Sequence, residues 1–354
     1  MHDDWDEQSA QTVFIRKVVI VFAIGGLAIL LWQLRDMLLL VFGAVLVSVI
    51  VRAAASPLHR RLGLSENIAI GLVAVIIVGA AGTGTWFFGN DIAAQARTLS
   101  TSLPSAWTAF EARIGDLVIG ERLAQLVRDA TPSGKGVLSA AGGVVTSLGS
   151  SLAGALLVLV GGIYLAVQPG LYRNGLLKLV PAPRRTLTGE ALDDSGRALK
   201  AWLRGQLFSM AVVAIMVGSG LWVLGVPLAF LLGIIAGLFD FVPLIGPIAA
   251  AIPALLLALT VGPTTALWTG ALYLLVQQIE GNILSPLVQQ HEVDLPPALL
   301  LFALLGFGIL FGVVGVLLAA PLTVVAFVMI KRLYVREALG TQTSVPGEEK
   351  TDEA

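Results

Sequence analysis

Long apolar stretches constrain the fold of this 354-residue chain more than any other feature. Eight of them lie at about 13–34, 37–56, 67–88, 142–167, 206–225, 226–260, 263–279 and 298–330. A bilayer has a hydrocarbon core about 30 Å thick, which about 20 helical residues cross. Charged residues make up 13% of the chain, about half the share in soluble domains. The sequence therefore predicts an all-α, polytopic membrane helix bundle with about seven to eight membrane segments.

Two of the stretches have lengths that fit neither one span nor two. Stretches 226–260 and 298–330 are too long for one crossing and too short for two crossings with a loop. Both contain Gly and Pro, which break helices or permit close approach of backbones. We expect each to be a broken helix or a re-entrant hairpin shielded by protein. The predicted hairpin or hinge residues are Gly237, Pro243, Gly246, Pro247, Pro286, Gly312, Gly315 and Pro321.

Lys and Arg residues predict the orientation of the chain. They are concentrated next to the apolar stretches at alternate ends, and the segments rich in them should be cytoplasmic, as should both termini. Segment 89–136 carries equal numbers of acidic and basic residues and should lie outside. The predicted organisation is an N-terminal tail (1–12), three membrane segments (13–88), an amphipathic extracytoplasmic segment (89–136), a fourth span (137–168), a basic cytoplasmic amphipathic segment (169–204), a transport core (205–335) and a disordered C-terminal tail (336–354).

The second half of the chain has acids but no bases. Residues 205–330 contain no Lys or Arg, and their acids are Asp240, Glu280, Glu292 and Asp294. An ionisable residue at membrane depth is costly and is a functional candidate by default. Asp240 and Glu280 lie at the edges of apolar stretches, so each needs a proton, a cation, backbone N–H groups or a basic partner from the first half. The amides nearby, which would add uncharged ligands for an ion or a polar solute, are Gln277, Gln278 and Asn282.

Each of these candidates has a structural alternative. Asp240 is also suited to N-cap a half-helix that starts at Phe241, with Pro243 in its first turn. Glu280 follows a helix C-terminus, where the macrodipole disfavours an anion, and its alternative is an interfacial position in water. The amides are equally suited to hydrogen bonds between helices. Glu292 and Asp294 share a polar loop with His291 and are expected to be solvated.

A weak internal repeat links the two interrupted stretches. Gly237 and Gly246 are nine residues apart, and so are Gly306 and Gly315. Small residues and a proline follow in each stretch. Paired interrupted segments are typical of the binding site of a secondary transporter.

Composition also excludes several classes of chemistry. The chain has no cysteine and three widely separated histidines, so we predict no metal site and no cofactor. A net charge of -1 does not indicate nucleic-acid binding. No nucleophile–base pair supports an intramembrane enzyme, so we predict no catalytic residue and no enzymatic activity.

Five motifs in order carry a resemblance to a known family. They lie at 197–206, 224–233, 237–247 (Gly-Leu-Phe-Asp-Phe-Val-Pro-Leu-Ile-Gly-Pro), 278–286 (Gln-Ile-Glu-Gly-Asn-Ile-Leu-Ser-Pro) and 312–321. In these motifs, over about 165–335, the chain resembles the AI-2E transporter family, and the first half is similar to it in layout. The chain departs from the family pattern at Gln289-Gln290-His291, where similar proteins usually carry a Met-Gly-Arg-like stretch.

The resemblance implies a multi-pass transporter of the bacterial inner (plasma) membrane. It further implies a homo-oligomer, with a pentamer as the candidate form. Members have been linked to export of autoinducer-2, and others to sodium–proton antiport. We therefore predict a secondary transporter that exports a small polar, autoinducer-2-like solute, with Asp240 and Glu280 coupling transport to a proton or cation gradient. The alternatives are a Na⁺/H⁺ antiporter and a non-transporting membrane scaffold.

Overall fold

The computed structural model describes residues 29–79, 152–284 and 295–348, together with scattered positions in 17–27 and 83–101. These residues form helices and turns, with no strand among them. The helices are α1 (Arg35–Leu62), α2 (Glu66–Gly79), α3 (Leu152–Val167), α4 (Pro169–Lys178), α5 (Arg185–Val223), α6 (Ala229–Phe239), α7 (Ile245–Val261), α8 (Pro263–Ile279) and α9 (Pro297–Met329). Short π-helical turns, Glu280–Leu284 and Ile330–Arg336, extend α8 and α9.

By length and composition alone, three helical runs in the described residues could cross a membrane: Arg35–Leu62, Ala182–Val223 and Pro297–Arg336. The third is interrupted at Gly312 and is not one straight helix. The pair α3 and α4 passes the same test as one unit, although the two helices are bent by 88°. The bend falls at Gln168, just before Pro169, because proline disfavours a helical conformation in the residue that precedes it. The all-helical membrane architecture is confirmed, and the count of seven to eight segments stays a prediction.

The surface of the bundle is apolar, and small residues lie where two of its helices approach most closely. Trp222 and Ile309 are each 77% exposed, which suits contact with lipid chains rather than water. Between α5 and α6 the backbones nearly touch, since a Cβ added at Gly233 would lie 2.6 Å from Gly218 Cα. Gly237 packs equally closely against Ala214. Such small-residue contacts are the usual means of packing helices in a membrane.

The stretch 226–260 is interrupted where the sequence predicts. Between α6 and α7 the chain turns through residues 240–244, and Pro243 lies within this turn. Leu244 has φ 70° and ψ −51°, and the Ile245 N–H donates to Pro243 O at 2.8 Å, which is a strained γ-turn. The chain reverses so tightly that a Cβ at Gly246 would overlap the carbonyl group of Phe239. Pro247 follows in the first turn of α7.

The stretch 298–330 is also interrupted, at Gly312 inside α9. Gly312 has φ 64° and ψ −146°, a conformation that only glycine adopts readily. Beyond it the chain folds back. This is seen from Gly315, which lies so close to Phe307 that a Cβ on it would overlap the Phe307 carbonyl. Gly246 and Gly315 thus play equivalent roles, each packing against a phenylalanine carbonyl across a reversal. Their partners in the sequence repeat differ, since Gly237 packs between helices and a Cβ at Gly306 would meet nothing within 4 Å.

The remaining predicted hinge residues lie elsewhere. Pro321 is buried inside the second part of α9 rather than at its reversal. Pro286 lies outside the described residues, and so do His291, Glu292, Asp294 and nearly all of the predicted amphipathic segment 89–136. The chain also bends sharply at Gln168, which is not among the predicted hinge residues.

Residues 337–348 differ from the disordered tail expected over 336–354. Val345 is buried and joins the cluster of Ala198 and Trp202 on α5. Gly347 (φ 83°) lies against the α5 backbone, and its carbonyl accepts a hydrogen bond from Arg197 Nε at 2.6 Å. Glu348 pairs with Arg332 and Arg336 at 2.9 and 2.5 Å. Apolar burial and ion pairs together therefore order this segment against the charged half of α5.

Candidate ion and substrate site

Asp240 occupies the end of α6, where the chain begins its first reversal. Its backbone N–H closes the helix on Ala236 O at 3.0 Å, and its own carbonyl accepts a hydrogen bond from Gln206 Nε2 on α5 at 2.7 Å. The residue is 1% exposed, and neither carboxyl oxygen has a hydrogen-bond partner among the described residues. Phe241, the next residue, packs edge-on against Trp202 with ring centroids 5.8 Å apart. The fold therefore holds an unpartnered carboxyl group in an apolar interior.

Glu280 brings a second carboxyl group to the same place. It begins the π-helical turn after α8 and is half-buried, and its side chain lies beside that of Asp240. Gln277 Nε2 donates to Glu280 Oε2 at 3.2 Å. Ser209 on α5 is the other polar neighbour of the Asp240 carboxyl, although its contact falls outside hydrogen-bond geometry. Three separate segments, α5, the α6–α7 turn and the end of α8, thus build one polar centre.

The electrostatics of this centre require a partner for the two acids. The side chains that interact with the pair are Ser209 and Gln277, and none of the described residues places a cationic side chain against them. Two adjacent carboxylates in a medium of low dielectric constant repel each other strongly, so both cannot remain ionised without compensation. A proton or a hard monovalent cation would provide it, since carboxylate and hydroxyl oxygens are the ligands that such cations prefer.

The predicted amide ligands divide between two positions. Gln277 joins the centre through its bond to Glu280. Gln278 and Asn282 are exposed and bond to each other, Asn282 Nδ2 donating to Gln278 Oε1 at 2.8 Å. That pair stabilises the π-helical turn instead of reaching the carboxyl groups. The structure therefore brings together Asp240, Glu280 and Gln277, and leaves Gln278 and Asn282 on the surface.

The helix-cap alternative for Asp240 is wrong. Helix α7 begins at Ile245 with Leu244 at its N-cap position, and no helix begins at Phe241. The γ-turn at Leu244 delays the helix start, so Asp240 lies at the C-terminal end of α6, where an anion gains nothing from the helix dipole.

Sequence reasoning missed Gln206 and Ser209. They lie three residues apart at the point where α5 changes from charged to apolar, so they share one face of the helix. Two polar residues three positions apart in the first turns of an apolar stretch were the feature that could have identified them as part of the site.

Comparison with known proteins covers most of the chain. The family model described as AI-2E family transporter matches residues 18–334. AI-2 transport protein TqsA of Escherichia coli is 24% identical over 338 residues, which cover 90% of this chain and 94% of TqsA. YueF of Bacillus subtilis, named as a transport protein without a substrate, is 28% identical over 286 residues, 77% of this chain and 76% of YueF.

A third relative matches over a shorter stretch. YrrI of Bacillus subtilis, also named as a transport protein without a substrate, is 34% identical over 166 residues. This match covers 47% of each protein, so here the chain spans about half the length of its relative. The family match extends over nearly the whole chain, including the interrupted helices and both carboxyl groups of the centre. This chain therefore belongs to the AI-2E transporter family and has a role in membrane transport.

Proposed function

We propose that the chain is a secondary transporter that exports a small polar solute, driven by a proton or cation bound between Asp240 and Glu280. The observation that carries this proposal is the pair of adjacent carboxyl groups, one of them fully buried, to which no described residue brings a basic counter-charge. A purely structural pair of this kind would lower stability without a compensating gain. A coupling site needs this arrangement, because binding one cation changes the net charge of the centre.

The interrupted helices support a moving site. Helix α6 has 11 residues and spans about 16 Å, roughly half of the hydrocarbon core. We propose that α6–α7 and the two parts of α9 are re-entrant hairpins whose exposed backbone is shielded by neighbouring helices. Broken helices near the bilayer midplane are where secondary transporters bind their ions and substrates. Neutralisation of the carboxyl pair would let the centre cross an apolar environment at lower cost.

The orientation and assembly belong to the same proposal. The protein would lie in the inner membrane of a bacterial cell, with the basic ends of α1 and α5 facing the cytoplasm. Both termini would be on the cytoplasmic side. A homo-oligomer, with a pentamer as the candidate form, is part of the proposal, and its subunit number would be measured by native mass spectrometry.

Different observations favour two alternative substrates for this transporter. TqsA is named an AI-2 transport protein and matches along nearly all of this chain, which favours an autoinducer-2-like solute. The carboxyl pair by itself favours Na⁺/H⁺ antiport, because it provides oxygen ligands for either ion. The non-transporting scaffold is the alternative of a different class.

Reconstituted vesicles would test the coupling site. Protein is placed in proteoliposomes with a pH-sensitive dye inside, and a sodium gradient is applied. The site variant is the double substitution Asp240→Asn and Glu280→Gln, and the matched control is Asp36→Asn, which makes the same chemical change at an exposed carboxyl. We expect wild type and control to move protons and the site variant to lose that signal.

Each other outcome has a defined meaning. A silent wild type at normal assembly excludes sodium–proton antiport, and export of autoinducer-2 from loaded vesicles at several pH values becomes the decisive assay. If the site variant retains solute flux with its pH dependence unchanged, the carboxyl pair does not couple transport. If no substrate moves and the substitutions change only thermal stability, the scaffold alternative holds.

A further inference from the structure

A second polar site lies towards the charged end of α5, where Lys200 precedes Ser209 of the carboxyl centre by nine residues, about 13 Å of helix. The C-terminal part of α1, the start of α2 and the charged half of α5 enclose a cavity of about 330 Å³. Its polar lining consists of Arg52, Ser56, His59, Arg60, Glu66 and Lys200. This volume corresponds to about ten water molecules at roughly 30 Å³ each, enough for a phosphate group and its glycerol ester.

The charges of this cavity do not balance. Arg52 is already engaged, since its guanidinium donates to Ala166 O at 2.8 Å and pairs with Glu66. Within the described part of the chain, Arg60 and Lys200 have neither an ion-pair nor a hydrogen-bond partner, and Arg204 adds its charge to the field at Lys200. Glu66 balances one of these cations, so the cavity keeps a net positive charge that favours a ligand of negative charge.

The position of the cavity indicates where that ligand comes from. Arg52 is the first charged residue after the apolar run 37–51 of α1, and Arg204 is the last one before the apolar half of α5. Both helices therefore leave the hydrocarbon at the level of the cavity, which is the level of lipid headgroups. Glu66 and Ile70 of α2 line the cavity, and the opposite face of this helix carries the exposed apolar side chains of Ile68 and Leu72, which suits contact with lipid.

We propose that this cavity binds the phosphate group of an anionic phospholipid. Arg60 and Lys200 supply the free positive charge, and Ser56 lies in the cavity wall as a further donor. Arginine and lysine form charge-assisted hydrogen bonds with phosphate oxygens, and basic pockets between membrane helices are suited to anionic headgroups. Because the site joins α1, α2 and α5, a bound lipid would tie the first half of the chain to the second.

Native mass spectrometry of the full chain in neutral detergent would test the proposal. The probes are phosphatidylglycerol, phosphatidylcholine and inorganic phosphate. The site variant is Arg60→Gln with Lys200→Gln, and the matched control is Lys178→Gln with Arg184→Gln, which removes two exposed charges outside the cavity. A second site variant, Lys200→Arg, keeps the charge and guards against loss of the fold.

We expect wild type to bind phosphatidylglycerol in preference to phosphatidylcholine, with no displacement by inorganic phosphate. In the double site variant the preference should fall roughly tenfold to thirtyfold, from about 1 kcal/mol for each lost charge. The control pair and Lys200→Arg should retain it. An equal fall in the control pair, or an unchanged preference in the site variant, would overturn the proposal. Binding of inorganic phosphate as tight as that of lipid would assign the site to a soluble phosphate and reject the lipid.

Discussion

Substitution of Gly315 by alanine tests the reversal inside α9. A Cβ at this position would lie 2.7 Å from Phe311 Cβ and 2.9 Å from the carbonyl carbon of Phe307, and closer still to its oxygen. Ordinary van der Waals contact begins near 3.4 Å. The two parts of α9 must therefore move apart by about 1 Å, and the obstacle is backbone, which cannot rotate away as a side chain does.

Gly306 provides the matched control, because the same substitution there meets nothing within 4 Å. Both variants gain up to about 1 kcal/mol from the helix propensity of alanine over glycine. Gly315→Ala also introduces overpacking, which costs about 1–3 kcal/mol, and we expect the upper end of this range because the contact is with a carbonyl group. Gly306→Ala should therefore be at least as stable as wild type, and Gly315→Ala less stable than Gly306→Ala by about 3 kcal/mol.

The measurement is the free energy of unfolding of each purified variant in the same detergent, with monodispersity checked beforehand. A straight α9 would separate residues 307 and 315 by about 12 Å along its axis, and the alanine at 315 would then be harmless. Equal stabilities of the two variants would therefore refute the hairpin at Gly312.

Two further predictions concern stability and pH. Thr269 is fully buried, and its hydroxyl has no hydrogen-bond partner in the part of the chain that the structure describes. The nearly isosteric Thr269→Val should therefore raise the free energy of unfolding by about 1 kcal/mol, and a decrease would show that the hydroxyl is bonded in the protein. The hydrogen bond from Arg336, with a further one from Arg332, holds the pKa of the Glu348 carboxyl below its ordinary value. A lowered pKa stabilises the docked tail above the ordinary pKa near 4.5, and this contribution is lost as the pH falls below it. The protection factors of the amides in 340–348, which correct for the pH dependence of the intrinsic exchange rate, should therefore fall upon acidification in wild type. In Glu348→Gln they should be lower at pH 7 and change less with pH, and equal pH profiles of the two proteins would contradict this.

Much of the architecture is readable from local sequence. The lengths of the apolar stretches predict membrane helices, because a helix in lipid must satisfy its own backbone and carry apolar side chains along its whole length. Gly246, Gly312 and Gly315 mark the reversals for a similar reason, since the backbone there takes conformations or contacts that a side chain would prevent. The absence of basic residues in 205–330 singles out Asp240 and Glu280 before any contact is known.

The sequence by itself therefore determined the class of protein, the interrupted stretches and the two acids that need explanation. The tertiary structure alone decided that Asp240 and Glu280 meet, that Ser209 and Gln206 complete their surroundings, and that Gln278 and Asn282 do not. It also decided the docking of residues 337–348 and the assembly of the basic cavity from three helices. The physical reason is range: hydropathy and backbone strain act within one segment, whereas side-chain proximity depends on how helices far apart in the chain pack together.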